Sequence, residues 1–386
     1  MEPLTVPDSQ KLSHVEKLCE TDTPYVANET IDGLFTVAMH ENLSWHQTHN
    51  TFYENLLALE KVSPDQLESI DDLKKIPPIH ANFFKRHVTL SIDESTIVEH
   101  LTSSGTSGQK TQMFFDAWSI KSARRMVRFI YEHYGFVQPE TKVNYLLFAY
   151  EPEEGSKVGT TNTNIFLTSF ALANEIFFAL RLNGGGHEYD RFGSVETLKR
   201  YAEAGLPVRI SGFPSFMYFT LLRMEEEDLK LQLHPDSLVL FGGGWKGYAD
   251  RQIPKEQLYA MIHERLGIDP ARMRDAYGSV EHSVPYIECS HHHLHLPIWS
   301  RLLIRDVKTL EPLGYGEEGF MHFLTPYITS VPAHSVMMGD MGVLHPASEC
   351  GCGAETPFFE VIGRAGVSRN KSCAITASEL LKKRGV

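Results

Sequence analysis

Val143-Asn144-Tyr145-Leu146-Leu147-Phe148-Ala149-Tyr150 is a compact apolar run stopped by Glu151-Pro152, and its type decides the fold. Two more such runs follow. Val208-Arg209-Ile210-Ser211 precedes Gly212-Phe213-Pro214 and a helix-like stretch from Ser215 to Glu227. Ser237-Leu238-Val239-Leu240-Phe241 is closed by Gly242-Gly243-Gly244. Short apolar runs alternating with helical segments indicate βαβ units, hence an α/β fold with a mainly parallel sheet flanked by helices. In such sheets ligands gather at the carboxyl ends of strands, where these glycines lie. Upstream, residues 1–98 read as a largely helical lead-in, with Ser63-Pro64-Asp65 as a capped helix start. Trp45, His46 and His49 read as a solvated or packed helix face rather than a metal site. Downstream of about 285, alternation such as Leu302-Leu303-Ile304-Arg305-Asp306-Val307 predicts a β-rich subdomain.

Composition narrows the class. Hydrophobic residues at 42% and charged residues at 22% are those of a globular chain, and 386 residues can bury a large core. A formal charge of −13 excludes duplex nucleic acid as a partner, since that needs a basic face. Ile165 to Leu182 reads as a buried helix; Asn174-Glu175 interrupt it and it is too short to span a bilayer, so no integral membrane protein is expected. The N-terminus lacks the zones of a signal peptide, and five cysteines without framework spacing fit a reducing cytoplasm.

Thr102-Ser103-Ser104-Gly105-Thr106-Ser107-Gly108-Gln109-Lys110 combines small residues, hydroxyls and a lysine. Backbone N–H groups, hydroxyl donors and an ammonium together suit phosphate oxygens. The glycine spacing is not that of a Walker loop. Gln112-Met113-Phe114-Phe115 looks like a strand, so the segment would join two strands. The residues alone fit a phosphate cradle or an ordinary Ser/Gly turn.

This loop resembles the signature of the acyl-adenylate-forming superfamily, T-S-G-T-T-G-x-P-K, without its proline. Three further segments fall in the superfamily's order. Phe241-Gly242-Gly243-Gly244-Trp245-Lys246 resembles its glycine motif, Tyr277-Gly278-Ser279-Val280-Glu281 its Y-G-x-T-E motif, and Met338-Gly339-Asp340 its T-G-D motif. Val280 and Met338 replace the usual threonines. The resemblance implies ATP and Mg²⁺: Thr102 to Gly108, Lys110 and Gly242 to Gly244 around the nucleotide, and Tyr277-Gly278 against adenine. It further implies Glu281 on magnesium and Asp340 on the ribose hydroxyls. A carboxylate suits a hard cation.

Gly363-Arg364 is similar to the hinge that precedes the superfamily's lid domain, but only a short tail follows it here. The expected division is therefore an adenylate-forming domain over 1–362 and a much shortened C-terminal tail over 363–386. In that tail, Asn370-Lys371-Ser372-Cys373-Ala374-Ile375-Thr376 resembles the end of the LuxE-type acyl-protein synthetases. That resemblance implies that Cys373 takes the acyl group from the adenylate and that a reductase or other acceptor protein receives it. A thiolate is a suitable nucleophile for a mixed anhydride, and Arg369 and Lys371 would enlarge its thiolate fraction. Lys371, or alternatively Lys246, would replace the missing lid lysine.

Cys289 and His295 precede Cys350-Gly351-Cys352, a C-x5-H half and a C-x-C half. Together they can form a tetrahedral Cys₃His zinc site, with His291, His292 and His293 as rival ligands and separate cysteines as the alternative. The set is similar to a structural zinc site of phenylacetate-CoA-ligase-like relatives. The resulting expectation is an enzyme that activates a fatty carboxylic acid with ATP and carries it on Cys373. An acyl-CoA ligase and a non-catalytic nucleotide- and zinc-binding protein are the alternatives.

Overall fold

The apolar runs become strands. In the computed structural model, which describes residues 5–102, 111–152, 164–184, 186–245 and 247–364, the strands begin with β1 (Ile79–His80), β2 (Ile97–Thr102), β3 (Gln112–Asp116), β4 (Gln138–Tyr150) and β5 (Ala171–Asn183). They continue with β6 (Gly186–Tyr189), β7 (Val208–Gly212), β8 (Leu238–Gly242), β9 (Met273–Tyr277) and β10 (Tyr286–Ile287). The last are β11 (Leu294–His295), β12 (Arg301–Arg305), β13 (Glu318–Leu324), β14 (Ser335–His345) and β15 (Phe358–Arg364). Helices include α1 (Ser13–Glu20), α2 (Glu29–His49), α3 (Thr51–Glu60), α4 (Ala117–His133), α5 (Arg191–Ala204), α6 (Pro214–Glu226) and α7 (Lys255–Leu266).

Among the described residues, β10-β9-β8-β7-β4-β5-β6 form one sheet. Its inner strands from β9 to β5 are parallel, and β10 and β6 run antiparallel at the edges. Burial on both faces explains why the strands read as continuous apolar runs. Along β8, Val239 and Phe241 enter a core shared with α5, α6 and α7, while Leu238 and Leu240 enter the opposite core with α4 and the second sheet. At the end of β7, Gly212 has φ +117, and a Cβ there would lie 2.2 Å from the Phe148 carbonyl oxygen. Only glycine lets β7 turn into α6 so close to β4.

The second sheet, β11-β15-β14-β13-β12, is antiparallel, with β1 beside β14 in parallel. This is the β-rich part expected from the alternation after 285. β2 and β3 form a separate antiparallel pair in which Thr102 faces Gln112. The Ser/Thr/Gly loop therefore does join two strands.

One expectation fails. Ile165 to Leu182 is no buried helix: a 3₁₀ turn at Thr168–Phe170 leads into β5. The run's Ile176-Phe177-Phe178 favours a strand, and its apolar residues are spread over both faces of the sheet rather than one helical stripe. Leu172, Ile176 and Leu182 are exposed. Phe213, Phe216 and Met217 are buried among α5, α6 and α7, so they serve as core packing. No helix among the described residues is long and apolar enough to cross a membrane.

The lead-in histidines also pack. His46 bonds Ser91 Oγ at 2.7 Å through Nδ1 and the Ile328 carbonyl at 3.0 Å through Nε2, while Trp45 Nε1 donates to the Thr329 carbonyl at 2.9 Å. Burial pushes His46 and His282 from 6.5 to about 3, and holds His322 and His334 well below 6.5. The unfolded chain therefore binds more protons than the folded chain below pH 6.5. Stability from these groups is full above pH 6.5 and is lost as pH falls toward 3. Urea unfolding is expected to show a loss of at least about 3 kcal/mol between pH 7 and pH 5, each histidine supplying up to about 1.4 kcal/mol per pH unit. A flat stability over that range would contradict the buried neutral imidazoles.

Candidate active site

Parallel strands all end on one edge, and β8 and β9 end there side by side, with Gly242 opposite Ala276. Gly243 and Gly244 have φ of 77° and 67°, so the chain turns away from β8 through conformations that favour glycine. The next strand delivers Tyr277 at its last position. From the other sheet, β14 delivers Asp340. The Tyr277 hydroxyl donates to Asp340 Oδ2 at 2.9 Å, joining the two sheets. Arg364 on β15 faces Asp340 in the register, with Nε 3.5 Å from Oδ1. Burial, and then the Asp340 charge, push the Tyr277 hydroxyl well above 10, so it remains a neutral donor.

Glu281 lies in the turn after β9, where the Ser283 amide and hydroxyl bond back to the Ser279 and Val280 carbonyls. The residue is 6% exposed, and its carboxylate accepts a 2.6 Å hydrogen bond from Thr111 Oγ1. Thr111 directly follows Lys110, so the residue after the hydroxyl-rich loop is tied to Glu281. The described residues thus bring together Thr102 and Thr111 at the loop's two ends, Gly242 to Gly244, Tyr277, Gly278, Glu281, Asp340 and Arg364. Ser103, Ser104, Gly105, Thr106, Ser107, Gly108, Lys110, Lys246, Lys371 and Cys373 lie outside the described residues.

Sequence reading passed over Thr111 and Asp275. Asp275 is two residues before Tyr277, hence on the same face of β9, and lines a cavity of about 150 Å³ with Phe241, Gly244 and Trp245. Burial and the nearby Glu288 push Asp275 up to about 6. Glu288 in turn pairs with Lys255 and accepts from the Tyr259 hydroxyl at 3.4 Å. The period of two was a usable signal for Asp275; for Thr111 the hydroxyl next to Lys110 was the sole hint.

The chain matches known proteins over nearly its whole length. A family described as "Acyl-protein synthetase, LuxE" matches residues 9–382. The chain belongs to the LuxE acyl-protein synthetases. Among relatives of this family member, the long-chain-fatty-acid–luciferin-component ligase of Vibrio harveyi is 25% identical over 315 residues, covering 81% of this chain and 80% of the relative. That of Aliivibrio fischeri is 23% identical over 352 residues, covering 89% and 88%. Like them, this LuxE-family chain is a ligase. An open conformation of 2-hydroxyisobutyryl-CoA ligase in complex with 2-HIB-AMP and CoA shares the fold, with a TM-score of 0.65 at 15% identity. It covers 95% of this chain and 81% of that one. The fold is that of the acyl-adenylate-forming enzymes.

The cysteine cluster lies away from this edge, where the turn between β10 and β11 meets the connection from β14 to β15. Cys289, His295, Cys350 and Cys352 place their donor atoms within 4.8 Å of one another. Cys289 Sγ is 3.5 Å from Cys350 Sγ, and Cys352 Sγ is 3.3 Å from His295 Nε2. Amides of His291 and Ala354 point at the sulfurs of Cys289 and Cys352, at 3.3 and 3.5 Å. Gly351 and Gly353, with φ of 73° and 92°, bend the C-x-C segment around them. His295 is oriented by its Nδ1 contact with the Thr356 carbonyl at 2.7 Å, which leaves Nε2 for the cluster. His293 Nδ1 lies 3.1 Å from Cys350 Sγ, beside the set rather than within it.

Proposed function

We propose that this chain is a two-step acyl-protein synthetase acting on a long-chain fatty acid. In the first step a carboxylate oxygen attacks the α-phosphorus of ATP, the bond to the bridging oxygen breaks, and pyrophosphate leaves. In the second, a thiolate attacks the carbonyl carbon of the acyl-adenylate, the carbon–oxygen bond breaks, and AMP departs. Cys373 is the acceptor, on a tail of residues 363–386 that follows an adenylating domain of residues 1–362. The acyl group then passes to a reductase or another acceptor protein in the cytoplasm.

The observation that carries this reading is a pair of contacts. Tyr277 to Asp340 and Thr111 to Glu281 bring the Tyr-Gly and Gly-Asp motifs and the residue after the hydroxyl-rich loop to the strand-end edge, beside Gly242, where α/β folds hold ligands. Asp340 offers carboxylate oxygens to ribose hydroxyls, and Tyr277 and the Gly242–Gly244 turn flank the base. The loop Thr102 to Lys110 holds the phosphates. Glu281, an oxygen donor of the hard type, would hold Mg²⁺. When bound, the cation neutralises charge on the departing pyrophosphate. Lys371 supplies positive charge at the transfer step.

The Cys₃His cluster fits zinc. Bonds of about 2.3 Å to sulfur put tetrahedral sulfur ligands roughly 3.8 Å apart, near the 3.5 Å between the sulfurs of Cys289 and Cys350. Burial raises the Cys289 thiol and pushes that of Cys350 up to about 12, so protons alone would leave neutral thiols crowded together. A soft divalent cation replaces those protons. With four protein ligands the site is structural.

The test is the fate of a labelled fatty acid supplied with ATP, Mg²⁺ and coenzyme A. Label bound covalently to the protein is expected; label in a free CoA thioester would make the chain an acyl-CoA ligase instead.

A further inference from the structure

We infer that Thr111 is a positioning residue, whose hydroxyl fixes the carboxylate of Glu281 for the nucleotide-bound divalent cation. The inference rests on the adenylation reading above and adds to it a residue outside the four motifs. Thr111 is fully buried, and its Oγ1 lies 2.6 Å from Glu281 Oε1 across 170 residues of chain. The two partners differ in rigidity. Thr111 abuts β3, whose register against β2 is fixed from Thr102–Gln112 onward, and a β-branched side chain holds few rotamers. Glu281 stands on a turn, with Ser283 in the left-handed region at φ 52°.

A glutamate on a turn has three side-chain torsions to settle. A hydroxyl donated from a rigid strand start removes that freedom and leaves the carboxylate's remaining lone pairs for a cation. The same bond ties the residue that follows the hydroxyl-rich loop to Glu281. Hydrogen bonds to charged groups in buried surroundings are the strong kind, so the loss should be readily measured.

Thr111→Val keeps the shape and removes the hydroxyl; Thr111→Ser keeps the hydroxyl and loosens the side chain. Binding of Mn²⁺ to the full-length protein with ATP, without any carboxylic acid, is read by electron paramagnetic resonance. Thr111→Val is expected to weaken Mn²⁺ retention about tenfold or more, with Thr111→Ser within about threefold of wild type. In a Glu281→Gln background, adding Thr111→Val should change nothing further. Wild-type affinity in a folded Thr111→Val, equal weakening by serine and valine, or full additivity with Glu281→Gln would each overturn the inference. Should Thr111→Val fail to fold, Thr111→Ser decides: a loss as large as that of Glu281→Gln overturns the inference, and near-wild-type retention supports it. Wild type that holds no Mn²⁺ with ATP would overturn the adenylation reading as well.

Discussion

Cys373→Ala is expected to abolish covalent acylation while pyrophosphate exchange continues. The two steps use different atoms: the first needs the carboxylic acid, ATP and the strand-end edge, whereas the second needs a nucleophile for the mixed anhydride. Without the thiol, the acyl-adenylate has water as its remaining acceptor. Labelled fatty acid on the protein should fall by more than about 100-fold, and exchange should stay within about threefold. Lys371→Ala should leave the label but move its pH dependence upward, because a nearby ammonium lowers a thiol from about 8.5. Covalent label that survives Cys373→Ala would place the acceptor elsewhere. Cys19 is the least suitable substitute, being fully buried with its thiol pushed far up by desolvation.

Removing the metal is expected to have the second large effect. Cys350→Ser should remove zinc, read as about one equivalent per chain in the wild type and none in the variant by elemental analysis. The cluster ties the turn after β10 to the connection before β15, and β15 carries Arg364 beside Asp340. Metal binding at such a site is folding free energy, on the order of 10 kcal/mol for structural zinc in small domains. The expected result is a fall in melting temperature of more than about 10 °C, matched by prolonged treatment with a strong chelator. Wild-type protein that contains no zinc and loses no stability in Cys350→Ser would make the cluster four packed side chains and nothing more.

The parallel sheet was legible because strands buried on both faces leave continuous apolar runs, as Val143 to Tyr150 and Leu238 to Phe241 do. The same composition misled at Ile165 to Leu182, where length and apolarity resembled a helix. Pairing of β5 with both β4 and β6 made it a strand with an exposed, partly apolar face. Motif residues could be named from their order, but the bonds between them could not. Tyr277 and Asp340 are 63 positions apart and meet only because β9 and β14 belong to adjoining sheets. Thr111 carries no motif of its own; its value lies in where β3 places it. The C-x5-H and C-x-C halves were readable as spacing, whereas the choice of His295 over His293 depends on the Thr356 carbonyl that aims its ring.

The most direct measurement is exchange of labelled pyrophosphate into ATP by the purified chain, with Mg²⁺ and without coenzyme A. The account predicts exchange that requires a long-chain fatty acid and falls by at least about 100-fold in both Asp340→Ala and Glu281→Gln. Exchange that is absent with every carboxylic acid offered, from a folded and zinc-loaded protein, would contradict it.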